Sequence, residues 1–441
     1  MIQPSLRPLA DPDHVWLTNA RVPLACLAPG QSCRDPMPAL LAPPQEEALV
    51  AVHIEIRAGK ITALVPGHQK IATDTSPYDC QQGLVWPCFV DMHTHIDKSH
   101  TWPRQANPTG TFQDALESVV QDQRRHWRPD EVAARMEFAL KCSYAHGTRA
   151  VRTHLDSGDG LAQISFSLLK ELRHQWQNKL IVQGVSLVPC PYYAQPEGVA
   201  LADVVAKFDG ILGAVVYPHP ELDLYLDTMF RLARERGLDL DFHADESLNP
   251  ADDGLRRIAE AKLRNRFTGA VTVGHCCSLS VQDEATVQTT LQRVREANLS
   301  IVSLPMCNLY LQDRQPGKMP RYRGVTLLPE LQQWGIPIAL ASDNCRDPFF
   351  AYGDYDMLEV FTQAVRISQL DRPIGDWPAA VTQIPATIMG LQDAAVIGVG
   401  QTPGSPIAPY PGSVDAKRRD RDPIQPGPAF AGDEEAPGFR L

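Results

Sequence analysis

The residues with most chemistry in them form the run Val90-Asp91-Met92-His93-Thr94-His95-Ile96-Asp97, which follows the apolar stretch Gly83-Leu84-Val85-Trp86-Pro87. Side chains alternate faces along a strand, so His93 and His95 point the same way. Two imidazoles side by side at a strand end can hold one divalent metal. Farther along stand His243, Glu246 three residues after it, His275 at the end of Val271-Thr272-Val273-Gly274, and Asp343 after Ile338-Ala339-Leu340-Ala341-Ser342. His93, His95, His243 and Asp343 offer three neutral imidazoles and one carboxylate. That set suits a single Zn2+ or Fe2+ and leaves a position open for water, whose lowered pKa makes it a nucleophile near neutral pH. Glu246, close to the metal without binding it, is placed to shuttle protons, and His275 to hydrogen-bond a developing oxyanion. Asp343 would both touch the metal and accept the water's proton. Singly, each has a plainer reading: a satisfied buried histidine, a loop carboxylate, or an aspartate capping the next turn. Together those readings require several coincidences. His154 and Asp156 read as a pair orienting a ligand from behind, and His219 as pocket lining.

These residues need a scaffold that gathers them. From about residue 84 the chain alternates short apolar runs with longer amphipathic ones, the pattern of repeated βα units. Eight strands are predicted, at 84–97, 149–156, 180–189, 211–219, 238–246, 270–277, 299–307 and 337–343. Helical patterns lie between them at 111–125, 130–146, 161–177, 220–236, 281–297 and 353–370. Eight such units predict an α/β fold of the (β/α)8 TIM-barrel type, whose chemistry sits at the C-terminal ends of the strands. There the sequence places His93 and His95, His154 and Asp156, Cys190, His219, His243 and Glu246, His275, Asn308 and Asp343. Six of the chain's 13 histidines therefore fall where a barrel would use them. An open doubly wound sheet would instead want a glycine-rich phosphate turn after its first strand, and there is none.

Residues 1–83 are expected to supply a small β-domain, with strands around 15–27 and 49–65 and a hairpin at Arg57-Ala58-Gly59-Lys60. Residues 84–390 form the barrel. Its satellite, a small β-sandwich, would be completed by the C-terminus. Yet 391–441 is an atypical tail, rich in Pro, Gly and charge, that reads as largely disordered, with the partner strands missing or replaced.

Composition narrows the partners. A net charge of −11 argues against nucleic acid or an acidic membrane surface, both of which select clustered Lys and Arg. No apolar run is long enough to span a bilayer, and the N-terminus lacks a signal pattern. The 10 cysteines are scattered without C-x-x-C spacing, as expected of reduced thiols in a cytoplasmic protein.

The motifs resemble the amidohydrolase superfamily, most closely its bacterial-type cytosine deaminase branch. The resemblance rests on 83–97, Val151-Arg152-Thr153-His154-Leu155-Asp156, His243-Ala244-Asp245-Glu246, Gly274-His275, Asn308-Leu309-Tyr310-Leu311-Gln312-Asp313-Arg314, and Asp343 with Asp347-Pro348. It implies a barrel with one metal, zinc or iron, on His93, His95, His243 and Asp343. Glu246 and His275 are implied as proton-transfer residues, and a homo-oligomer is implied as the assembly. The implied reaction converts the exocyclic amine of cytosine, or of a related pyrimidine, to a carbonyl with loss of ammonia. Three positions where the ring would bind depart from the branch: Cys190 replaces an amide, Asn344 a second aspartate, and Phe349 a tryptophan. With His219 and Asn308 these are the expected substrate-binding residues. A thiol cannot offer an amide's paired donor and acceptor, so isocytosine, 5-methylcytosine or creatinine are alternative substrates. A hydantoinase-like cyclic-amide hydrolase would want a lysine at the end of the fourth strand, where Tyr217-Pro218-His219 has none. A decayed binding relative is the non-enzymatic alternative. The small zinc deaminases, with H-x-E and P-C-x-x-C, are excluded: Pro189-Cys190 has no second cysteine at that spacing.

Overall fold

The computed structural model describes residues 14–29, 48–72, 77–391 and 394–401. Its first region is a four-stranded sheet in the order β3-β2-β1-β4, from β1 (His14–Pro23), β2 (Leu49–Arg57), β3 (Lys60–Pro66) and β4 (Tyr78–Asp79). β2 and β3 form the expected hairpin. Ala58 and Gly59 at its tip both have positive φ, 48° and 70°, which a tight two-residue turn between twisted strands demands. Among the described residues this region is one sheet, not the two layers of a sandwich. Residues 394–401, inside the expected tail, lie against it. Ile397 N–H donates to Cys26 O and Gly400 N–H to Ile61 O, each at 2.8 Å. The rest of that tail, 402–441, lies outside the described residues.

Eight parallel strands follow, in step with the sequence pattern: β5 (Phe89–Thr94), β6 (Thr148–Asp156), β7 (Ile181–Leu187), β8 (Leu212–Val216), β9 (Leu240–Ala244), β10 (Val271–His275), β11 (Ser300–Ser303) and β12 (Ile338–Leu340). They make two ladders, β5-β6-β7 and β8-β9-β10-β11-β12. The ladders meet at two seams through isolated parallel bridges, Val185 with Ile211 and Thr94 with Asp343. The strand predicted at 299–307 stops at Ser303, because Pro305 opens a helix (Pro305–Leu311) where its missing N–H costs nothing. Asn308 is therefore a helical residue. Helices Pro196–Lys207 and Gly254–Arg264, absent from the sequence pattern, complete the alternation around β8 and β9.

The period of two along each strand sets what faces inward. Asp91, Arg152, Asp241 and Thr272 share the inward parity, and Arg152 Nη1 joins two of them, Asp241 (2.9 Å) and Thr272 (3.3 Å). Two residues on, His93, His154, His243 and Gly274 share it as well. Gly274 has to be glycine: a Cβ there would stand 2.8 Å from His93 Cε1. The alternate residues Val90 and Met92 instead join Ala150, Val302, Ala339, Ala386 and Met389 in an apolar cluster. No helix among the described residues is long and apolar enough to cross a membrane.

Candidate metal centre

At the C-terminal ends of β5, β9 and β12 the expected ligands converge. His93 Nε2 lies 3.1 Å from His243 Nε2, which lies 3.3 Å from His95 Nε2. Asp343 Oδ1 is 3.2 Å from His95 Nε2 and 3.6 Å from His93 Nε2. An ion bound at about 2.0–2.2 Å to each donor holds neighbouring donors about 3 to 3.6 Å apart, a spacing that His243 meets toward both His93 and His95, and Asp343 toward the same two imidazoles. Among the described residues, buried Asp343 Oδ1 has no hydrogen-bond partner, and neither has the Nδ1 atom of His93, His95 or His243. Burial first, then the neighbouring imidazoles or Lys98, holds all three histidines well below the usual pKa, leaving the neutral rings a cation needs.

Backbone strain and glycine-tight packing aim these groups. Asp343 has φ 66°, a conformation that L-residues adopt at a cost of about 1–3 kcal/mol when the surroundings enforce it. Its N–H donates to His93 O at 2.9 Å. The preceding residue is clamped by Asp91, which accepts from Ser342 N–H (3.1 Å) and Ser342 Oγ–H (2.5 Å). His275 and Cys276 are also left-handed, at 71° and 52°, and turn the His275 ring inward after β10. Asn308 Nδ2 lies 3.0 Å from His275 Nδ1, and donation there leaves the ring proton on Nε2, which is buried and unpartnered. Burial pushes His275 down to about 4. Glu246 Oε1 lies 3.3 Å from His275 Nδ1. Burial and then the charge of Asp343 push the Glu246 carboxyl well above the ordinary range, and Lys98 opposes them. Burial likewise raises Asp343, a pressure that a bound cation would reverse.

His154 and Asp156 do not act as a pair. The His154 ring lies on His93, with centroids 4.0 Å apart, and its Nε2 is 3.2 Å from Asp241 Oδ1; it stands among the ligand imidazoles rather than behind them. Asp156 binds Lys98 Nζ at 2.6 Å and Gln123 Nε2 at 2.5 Å. Two expected substrate contacts are corrected. Cys190 belongs to a turn beyond β7 (Cys190–Ala194) that folds its thiol into the apolar core, 3.7 Å from Met229 Sδ. His219 is exposed, its Nδ1 accepting from Glu221 N–H at 3.0 Å. Asn344 is buried, but its amide is committed to Asp347 Oδ2 at 2.7 Å. Phe349 is half-buried, stacked edge-on to Phe112 with Lys98 Nζ 5.8 Å from its ring centre.

Sequence reasoning passed over Lys98, three residues beyond His95. Burial works against its charge, yet Asp156, Asp97 and Asp347 hold its pKa above the ordinary value. The only signal was a lysine directly after an aspartate at the end of a buried run.

Comparison with known proteins matches this architecture. A model described as the amidohydrolase family matches residues 200–402. A pterin deaminase of Rhizobium rhizogenes is 47% identical over 358 residues, covering 81% of this chain and 82% of the relative. N-isopropylammelide isopropyl amidohydrolase of a Pseudomonas species is 23% identical over 357 residues, covering 78% and 82%. Among solved structures, 5-methylcytosine deaminase from Klebsiella pneumoniae superposes with a TM-score of 0.73 at 21% identity, covering 88% of this chain and 89% of that one.

Proposed function

The chain belongs to the amidohydrolase superfamily, and on that premise we propose that it is a metal-dependent deaminase of a small nitrogen heterocycle, a pterin before a cytosine. The observation that carries this reading is the shared identity with the pterin deaminase across four-fifths of the chain. The convergence of His93, His95, His243 and Asp343 supports it. We read the eight strands as a closed (β/α)8 barrel, because bridges join the two ladders at both seams. In the pterin ring the amine-bearing carbon is flanked by ring nitrogens and lies one nitrogen away from a carbonyl. Cytosine and isocytosine share that edge, which keeps them as second readings.

Zinc or ferrous iron at the four ligands would supply Lewis acidity and an activated water. The remaining steps belong to the protein. Asp343 takes the proton from the attacking water. Glu246, whose carboxyl burial and then the charge of Asp343 push above the ordinary range, gives a proton to the ring nitrogen beside the attacked carbon. His275 presents Nε2–H to the oxygen that becomes the carbonyl. The departing amine collects its proton from Asp343 and leaves as ammonia, while the remaining hydroxyl proton passes to Glu246 as the carbonyl forms, restoring both carboxyl groups.

The test is ammonia release by protein loaded with Zn2+ or Fe2+, supplied with pterin, cytosine, isocytosine, 5-methylcytosine and creatinine. Release from pterin above the others is expected. Silence across the panel with metal bound would overturn the reading. Glu246→Gln should keep its metal and lose roughly 10²–10⁴ in turnover.

A further inference from the structure

Lys98 takes no part in the steps above, yet it is 5% exposed beside the centre. Its ammonium has three N–H donors, and among the described residues it makes one side-chain hydrogen bond, to Asp156 at 2.6 Å. Asp156 is fixed from its other side by Gln123. It follows the ligand candidate His95 by three residues, and its charge reaches His95, Glu246, Asp343 and the Tyr217 hydroxyl. Phe349 forms the adjoining wall, 5.8 Å from Nζ to ring centre. A buried ion pair seldom adds stability over an apolar pair of equal volume. An ammonium kept here with donors to spare, against an aromatic face and beside a metal centre, has the composition of a recognition group.

We propose that Lys98 donates a hydrogen bond to an exocyclic carbonyl oxygen of the substrate, one ring nitrogen away from the carbon that loses its amine, while Phe349 covers the ring face. The inference rests on the deaminase reading and names its substrate class: heterocycles whose edge runs from an amine-bearing carbon through one ring nitrogen to a carbonyl carbon. Heterocycles with a second amine in place of that oxygen are rejected, because an amine sets N–H against N–H. Asp156 is then a positioning residue, holding the ammonium in place.

Two readouts on the metal-loaded protein test this: binding of the ligands by quenching of their own fluorescence, and ammonia release. Pterin is compared with 2,4-diaminopteridine, which replaces the oxygen by an amine. The wild type should bind and turn over pterin better by roughly 10–100-fold, the scale of one charge-assisted hydrogen bond. Lys98→Met should erase most of that preference by weakening pterin alone. Because Lys98→Met leaves Asp156 without its counter-charge, the double variant Lys98→Met/Asp156→Asn repeats the measurement with that ion pair removed from both sides. Equal affinity of the wild type for both ligands would overturn the proposal. So would a preference that survives in the double variant with metal retained. Discrimination in binding without ammonia release would uphold the role of Lys98 while refuting the deaminase reading.

Discussion

The two seams between the ladders are closed by different chemistry. At the β7–β8 seam the groups are neutral and small. Ser186 Oγ accepts from Gly213 N–H at 3.0 Å, the buried Tyr193 hydroxyl donates to Gly213 O at 2.9 Å, and Ile211 N–H donates to Gly184 O at 2.9 Å. Gly213 permits the approach, since a Cβ there would meet Ser186 O at 2.3 Å. At the β12–β5 seam a buried acidic side chain, Asp91, whose carboxyl burial pushes up to about 7, grips the backbone and side chain of Ser342. The residues just beyond that grip are two metal-ligand candidates, His93 and Asp343. A neutral seam only has to close. The acidic seam also has to hold a strained aspartate and an imidazole at ligand spacing, and a carboxyl group that accepts two hydrogen bonds fixes position more firmly than one hydroxyl.

Four substitutions bear on that contrast. The largest effect is expected from Gly274→Ala, which puts a methyl into the space of the His93 ring. Its metal dissociation constant, read by chelator competition, should rise beyond the roughly 10–100-fold that loss of a supporting residue costs. Asp91→Ala should fall within that 10–100-fold range and lower stability by about 1–3 kcal/mol, because the Ser342 donors are left buried and unpaired. Ser342→Ala keeps the backbone half of the clamp, so a loss of metal affinity of about 3–10-fold is expected, below the full range for a supporting residue. Tyr193→Phe should cost about 1 kcal/mol in denaturant unfolding while metal affinity stays within about twofold. If Tyr193→Phe weakened metal binding as much as Asp91→Ala, the distinction between the seams would be gone.

The strands were legible because each is a short apolar run bounded by polar residues, and the ligand candidates because H-x-H and the strand-end histidines fall on one rim. What escaped depended on chain direction just past a strand. Cys190 sits three residues beyond Leu187, and nothing in its neighbours says that the turn folds back into the core. The left-handed backbone at His275 and Asp343 is imposed by contacts from other strands, so no local propensity announces it. Lys98 escaped notice because its counter-charge, Asp156, comes from the next strand. Asp91 lay within the conspicuous run, but its partner is 251 positions away.

Hydrolysis at an amine-bearing carbon leaves an isotopic mark that ammonia release alone does not. The most direct measurement is pterin turnover by metal-loaded protein in ¹⁸O-labelled water, following ammonia and product mass in one sample. The account predicts one labelled oxygen in the product for each ammonia released, with both lost in His243→Ala. Metal-replete wild type that releases no ammonia, or releases it without label in the product, would contradict it.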